Sequence, residues 1–201
     1  MKITNLKLTL LSAAIVVTGM MSCSKDDNPK PAVPPVTKTD SVQAAFSPQG
    51  DFTYFSFKDD AVVPATDSNS TKWDFAFRYV NIIVNSHASG PGSVGVITQT
   101  GVYDDFKTAP ETGYAYDTTS TQTAINAKYG DPDAWFLYDP SVHNLTPAAG
   151  KFFVFKTSDN NYVKMEILSV TTDVPFTNPV PPTSIWYKFR YTYQADGSRN
   201  F

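Results

Sequence analysis

Cysteine is almost missing from this 201-residue chain: one stands at position 23, and none elsewhere. A lone cysteine cannot close an internal disulfide, so whatever core forms must hold by packing. Histidine occurs only at His87 and His143; two imidazoles cannot close a structural zinc site without carboxylates, and no C2H2-type spacing is present. Glutamate occurs only at Glu111 and Glu166, which leaves aspartate as nearly all the carboxylate. The close pairs Asp59-Asp60, Asp104-Asp105 and Asp131-Pro132-Asp133 sit among turn residues, where Asp serves local backbone bonding rather than opposed acid–base work. No H-E-x-x-H, C-x-x-C, G-x-S-x-G or P-loop lysine motif is present, so the inventory speaks against an enzyme. Beyond Lys2 and Lys7, fourteen basic residues face nineteen acidic ones, a formal charge of −5. Without a basic patch, nucleic acid is not an expected partner.

What is plentiful is aromatic: 14 % of the residues are Phe, Trp or Tyr. Together with Thr and Val they favour pleated, half-buried strands over helices. The expected fold class is all-β, as one antiparallel domain.

The ends of the chain read differently from its middle. Residues 1–22 carry Lys2 and Lys7 before an apolar run from Leu8 to Met21. The run is too short to span a bilayer and ends in small residues, the pattern of an export signal. The stretch "GMMSCSKDDN" resembles a bacterial lipoprotein signal, which makes Cys23 the lipidated residue and the lipid the only membrane attachment. A plain cleaved signal with a free thiol is the alternative. Ser24-Lys25-Asp26-Asp27 resembles the acidic export tag of Bacteroidota-type surface lipoproteins, implying an outer-membrane, cell-surface location. Residues 23–40 then form a tether, with four prolines in "NPKPAVPPV" favouring an extended spacer. Residues 41–201 are enough for one domain with its own core.

Within that domain, period-2 patterning predicts a series of strands. "DFTYFSFK" ends at the Asp59-Asp60 turn. "KWDFAFRYVNIIVN" reads as a strand with Trp73, Phe75, Phe77 and Tyr79 on one face. Val94 to Thr100 and "GYAYD" follow as further strands. "WFLYDPSVHNLTP" reads as a strand, a turn at Asp139-Pro140 and a short return. "KFFVFKTSDNNYVKMEILSV" is a hairpin, and "SIWYKFRYTY" alternates Ile185, Tyr187, Phe189, Tyr191 and Tyr193 against Trp186, Lys188, Arg190 and Thr192. Thr121 to Tyr129 is the one candidate helix. The literal G-x-G-x-x-G from Gly90 to Gly95 is no nucleotide loop. β-Branched residues follow it where a helix is needed, and Pro91 removes a donor from the cradle.

The order of the Tyr54-Phe55-Ser56-Phe57 strand, the Lys72-Trp73-Asp74-Phe75-Ala76 strand, the Asn85-Ser86 to Ser89-Gly90 loop, the Tyr162-Val163-Lys164 arm and the aromatic last strand resembles the HmuY family of haem-binding outer-membrane lipoproteins. The resemblance runs from about Phe46 to Tyr193. It implies a single antiparallel β domain of HmuY type that takes haem or a related porphyrin for iron acquisition. A TonB-dependent receptor and a host haem carrier are the implied partners.

The family's ligands transfer only in part. Its namesake holds iron between two histidines, and several relatives use methionines. One ligand lies in an excursion that here is only Thr118 to Ala134 and contains neither His nor Met. Near the second ligand's place stands Pro140, with His143 three residues on, so His143 is the candidate axial ligand. The bland reading makes His143 a surface residue of a hairpin return and His87 an exposed loop residue. Met165, alternating with Val163 and Ile167, reads as core. The rival function is an interaction module that kept the fold, lost haem and recognises another partner. A carbohydrate-binding domain is a third reading, although core packing explains the tyrosines equally well.

Overall fold

In the computed structural model, residues 33–175 and 180–201 are described. Cys23, the acidic tag and residues 1–22 lie outside them. The expected all-β class holds: eleven strands and two 3₁₀ turns make up the regular structure among the described residues. The strands are β1 (Val36–Ala45), β2 (Thr53–Ser56), β3 (Ala61–Val63), β4 (Phe75–Arg78), β5 (Asn81–Val84) and β6 (Gly95–Thr100). They continue with β7 (Phe136–Asp139), β8 (Asn144–Pro147), β9 (Lys151–Lys156), β10 (Tyr162–Thr172) and β11 (Ser184–Gln194). A five-stranded antiparallel sheet runs β1-β11-β10-β9-β6, and a four-stranded one runs β3-β2-β4-β5. β7 and β8 form a separate two-stranded arm.

The two larger sheets face one another across an aromatic core, as the alternation in their strands requires. Ile185, Tyr187, Phe189 and Tyr191 of β11 are buried as the alternation predicts, but the pattern ends there: Thr192 is buried, bonded to the Tyr103 hydroxyl, and Tyr193 is only half-buried. The first four meet Phe55, Phe75 and Phe77 from the opposite sheet. Phe77 lies flat on Tyr187 with ring centres 4.0 Å apart, and Phe55 meets Phe189 edge-on at 5.3 Å. Met165 is fully buried in this core and packs rather than ligates.

The outer face of the large sheet is also covered. Lys164 on β10 is buried there, its Nζ donating to the carbonyls of Tyr103 (2.9 Å) and Phe106 (2.8 Å) and lying over the Tyr103 ring. That ammonium pins the segment after β6 to the sheet.

Five local expectations are corrected. "KWDFAFRYVNIIVN" is not one strand but a hairpin, with Arg78 paired to Asn81 around Tyr79-Val80. Tyr79 takes a left-handed φ of 51°, a turn that no glycine announces. Tertiary contacts impose it: Tyr79 N–H donates to Ala45 O, Phe46 meets the Tyr79 ring edge-on, and Trp135 Nε1 donates to Val80 O. Trp73 is buried, yet not on the face of Phe75 and Phe77; it packs with Val63, Ala76 and Ile83 on the other side of the small sheet.

Thr121 to Tyr129 is not a helix. Thr119 closes a tight turn on Gln122, and Ala124 N–H donates to Asp117 Oδ1 at 2.7 Å, which lowers Ile125 into the main core. Burial of one isoleucine and saturation of one buried carboxylate outweigh a weak helical preference. "GYAYD" contributes only a bridge between Ala115 and Val96.

Finally, paired structure starts at Val36, inside the stretch read as tether to residue 40. Val36 to Ala45 pairs residue for residue with Tyr193 back to Ser184. The proline-rich composition hid a strand whose buried residues are only Val42 and Ala44.

Candidate functional site

The β7–β8 arm carries the one sequence-predicted ligand that sits beside a groove. Its base is anchored: Phe136 and Leu145 enter the main core, and Tyr138 packs partly buried against it. Its tip is polar and exposed. Asp139 Oδ1 accepts from both the Ser141 N–H (2.8 Å) and the Ser141 hydroxyl (2.6 Å), an Asx turn that holds the Asp139 carboxyl below its ordinary value. The chain then turns through His143 at φ 51°, a left-handed conformation that a non-glycine residue adopts only under constraint.

The constraint on the ring is visible. His143 Nδ1 lies 2.7 Å from Tyr138 Oη, and Tyr129 meets the Tyr138 ring edge-on at 5.6 Å. His143 itself is exposed. On one side it borders a groove of about 490 Å³ whose walls include Phe46, Val142, Leu145, Val170 and Ile185. That volume falls within the range of small-molecule sites, and the walls are mainly apolar. Val142 and, on the arm's β7, Leu137 stand well over half exposed, so the arm offers apolar surface as well as an imidazole.

His87 is elsewhere. It is exposed at φ 44°, meets Tyr116 edge-on, and borders a different cleft with Tyr54, Ser68 and Gly90 that shares no residue with the groove of His143. The structure therefore does not bring the two histidines together. The glycine loop beside His87 is a packed turn between β5 and β6. Buried Asn85 donates through Nδ2 to the carbonyls of Ser70 and Trp73 and accepts from Gly92 N–H. A Cβ on Gly90 would lie 2.2 Å from Asn85 Oδ1 and 2.6 Å from Trp73 Cζ2, so close approach explains the glycine without any phosphate.

The donors present fit a porphyrin held by one axial nitrogen. The sequence has no other histidine beside the groove, Met165 is sealed in the core, and no group of three metal-ligating side chains occurs among the described residues. Residues 118–134, where the first family ligand is expected, are all described and bring Ile125 to the main core and Tyr129 to the arm rather than an imidazole or a thioether. Sequence reasoning missed Tyr138. Its signal was its place five residues before His143 across an Asp-Pro turn, a spacing that brings the two ends of a short hairpin together.

The chain is thus an all-β sandwich with an aromatic core, a two-stranded arm and an open, mainly apolar groove. The match to the HmuY protein family covers residues 49–191, and the chain belongs to that family. The Tannerella forsythia apo HmuY analog shares its fold, with a TM-score of 0.53 at 14 % identity over 83 % of this chain and all of that one. An HmuY-like protein from Bacteroides vulgatus, described as heme binding, matches at TM-score 0.47 and 16 % identity over 79 % of this chain and 93 % of its own. Apo PinO from Porphyromonas matches at TM-score 0.46 and 11 % identity, over 80 % and 100 % of the two chains. No curated protein matches.

Proposed function

We propose that this chain binds haem or a related porphyrin without catalysis, at the β7–β8 arm, with His143 as axial ligand. Membership of the HmuY family supports the ligand class, and one observation supports the place: an exposed imidazole, oriented through Nδ1, beside a mainly apolar groove of about 490 Å³. Bound haem would supply an iron whose axial position takes one nitrogen. The protein's part is to orient that nitrogen and to cover a porphyrin face with Val142, Leu145 and Val170. One nitrogen ligand holds iron less firmly than two, and the axial ligand sets redox preference.

Titration of the purified domain with hemin should give a shifted Soret band. His143→Ala should remove that shift, and added imidazole should restore part of it. His87→Ala should leave affinity and spectrum unchanged. Wild type without a Soret shift at micromolar hemin would leave the rival reading, a family fold serving another partner. A wild-type spectrum retained by His143→Ala would move the iron elsewhere.

The cellular setting belongs to the same proposal: an outer-membrane lipoprotein, anchored through Cys23 and facing outward, that passes haem from a host carrier to a TonB-dependent receptor. Mass spectrometry of the mature N-terminus should find an acyl-modified Cys23, and Cys23→Ala should leave membranes while keeping the wild-type thermal midpoint. An unmodified Cys23 would remove the anchor.

A further inference from the structure

Resting on the haem reading above, we infer that Tyr138 is a positioning residue for the iron ligand: its hydroxyl sets which ring nitrogen of His143 is presented to haem. The bond between Tyr138 Oη and His143 Nδ1, at 2.7 Å, can run in either direction. If the phenol donates, Nδ1 is the acceptor and a neutral ring keeps its proton on Nε2, which then has no lone pair for iron. If Nδ1–H donates to the phenol oxygen, the lone pair is on Nε2, at the far edge of the ring. Coordination through Nε2 therefore commits the pair to the second direction, with the tyrosine O–H turned to another acceptor or to water.

The placement suits that task. Tyr138 is fixed from below by the main core and from the side by the Tyr129 ring, whereas His143 sits on an exposed loop at a left-handed φ. A partner seated on β7 thus engages the ring at Nδ1 and fixes that edge of it. The pair is exposed in the ligand-free chain, where water competes for both groups. A porphyrin laid over His143 would exclude that water, so the bond strengthens when the iron needs it. Donation of Nδ1–H also makes the imidazole a stronger electron donor, which favours ferric over ferrous iron.

Tyr138→Phe keeps the ring and removes only the hydroxyl. In the full mature chain, hemin affinity should fall about ten- to hundredfold, the usual effect of deleting a partner of a ligating histidine. The ferric/ferrous midpoint should move positive, and the thermal midpoint of the free protein should stay at the wild-type value. Tyr129→Phe, which keeps its ring contact, should change neither affinity nor midpoint. If Tyr138→Phe equals wild type in affinity, spectrum and potential while His143→Ala loses the Soret shift, the positioning role is wrong and the haem reading stands. If wild type itself gives no shift, both fall together.

Discussion

Trp73→Ala should cost about 3–5 kcal/mol of folding stability, the usual range for removing a buried large aromatic. The indole is fully buried, yet it belongs to the smaller cluster with Val63, Ala76 and Ile83, and not to the aromatic core between the sheets. Its Nε1–H donates to Ser68 O at 2.9 Å, which ties the loop after β3 to the small sheet. Tyr54 meets its ring edge-on at 4.8 Å, and Gly90 passes so near that no Cβ fits between them. The cavity left by alanine would thus be walled by Tyr54 of β2, the loop and the glycine turn, and Asn85 holds the last two in place through Ser70 O and Gly92 N–H. Trp73→Phe should lose only about 1–2 kcal/mol, from the missing N–H donor and the smaller ring. Urea unfolding gives both numbers, with an unchanged slope expected because the surface exposed on unfolding is nearly the same. A loss below ~1 kcal/mol for Trp73→Ala would mean that the ring is not sealed in the folded chain.

The contrast between Trp73 and its neighbours shows where the sequence was legible. Alternation identified the inward face of β11 from Ile185 to Tyr191 and the Val163, Met165 and Ile167 face of β10, because these stretches are continuously paired. It breaks at the irregularity after Ile167 and at Thr192, which is buried against its expected side. The same rule failed at Trp73 because the chain changes role between Trp73 and Phe75: the strand begins only at Phe75, and the residue before it is turned by Asp74's bonds. A period argument needs continuous pleating, and here it was carried across a strand boundary and then across the Tyr79-Val80 turn. The helix expected over Thr121 to Tyr129 failed for a different reason. Asp117 accepts from Val84 and Ala124, a contact across thirty residues that no local window contains. At the candidate site, His143 was reachable from the sequence because histidine is so scarce. Tyr138 carried only the weaker signal of its spacing across the Asp139-Pro140 turn, which becomes chemistry once the hairpin register puts both residues at one end of the arm.

Asp74→Asn should flatten the chain's pH dependence between about pH 4 and pH 7 and leave the variant the more stable form above it. Asp74 is almost wholly enclosed at the floor of a polar cleft of about 250 Å³ bordered by Lys58, Asp59, Lys72, Asp159 and Tyr193. Burial pushes its carboxyl up to about 7, with the Phe57 N–H pulling down, Asp159 and Asp59 adding to the rise, and Lys58 opposing it. In the unfolded chain the same group titrates near 3.9. Between those values the folded chain keeps a proton that the unfolded chain has lost, so stability falls as pH rises. The stabilising share is complete below about pH 4 and is lost as pH rises through about 7, at up to ~1.4 kcal/mol per pH unit and ~4 kcal/mol in all. Asparagine keeps a carbonyl oxygen for the Phe57 N–H, 2.8 Å away in the wild type, and carries no charge to desolvate. Asp117, raised by burial, slopes the same way, whereas Asp60, lowered by its bonds to Tyr191 and Lys38 against the opposing effect of burial, slopes the other way. Both are present in the two proteins, so the difference between wild type and variant isolates Asp74. Unfolding free energies from urea titrations at pH 4, 5.5, 7 and 8 should converge at the acid end and separate by about 4 kcal/mol at the alkaline end. Parallel curves would mean that Asp74 is ionised in the folded chain throughout, with Lys58 or Lys72 holding its charge.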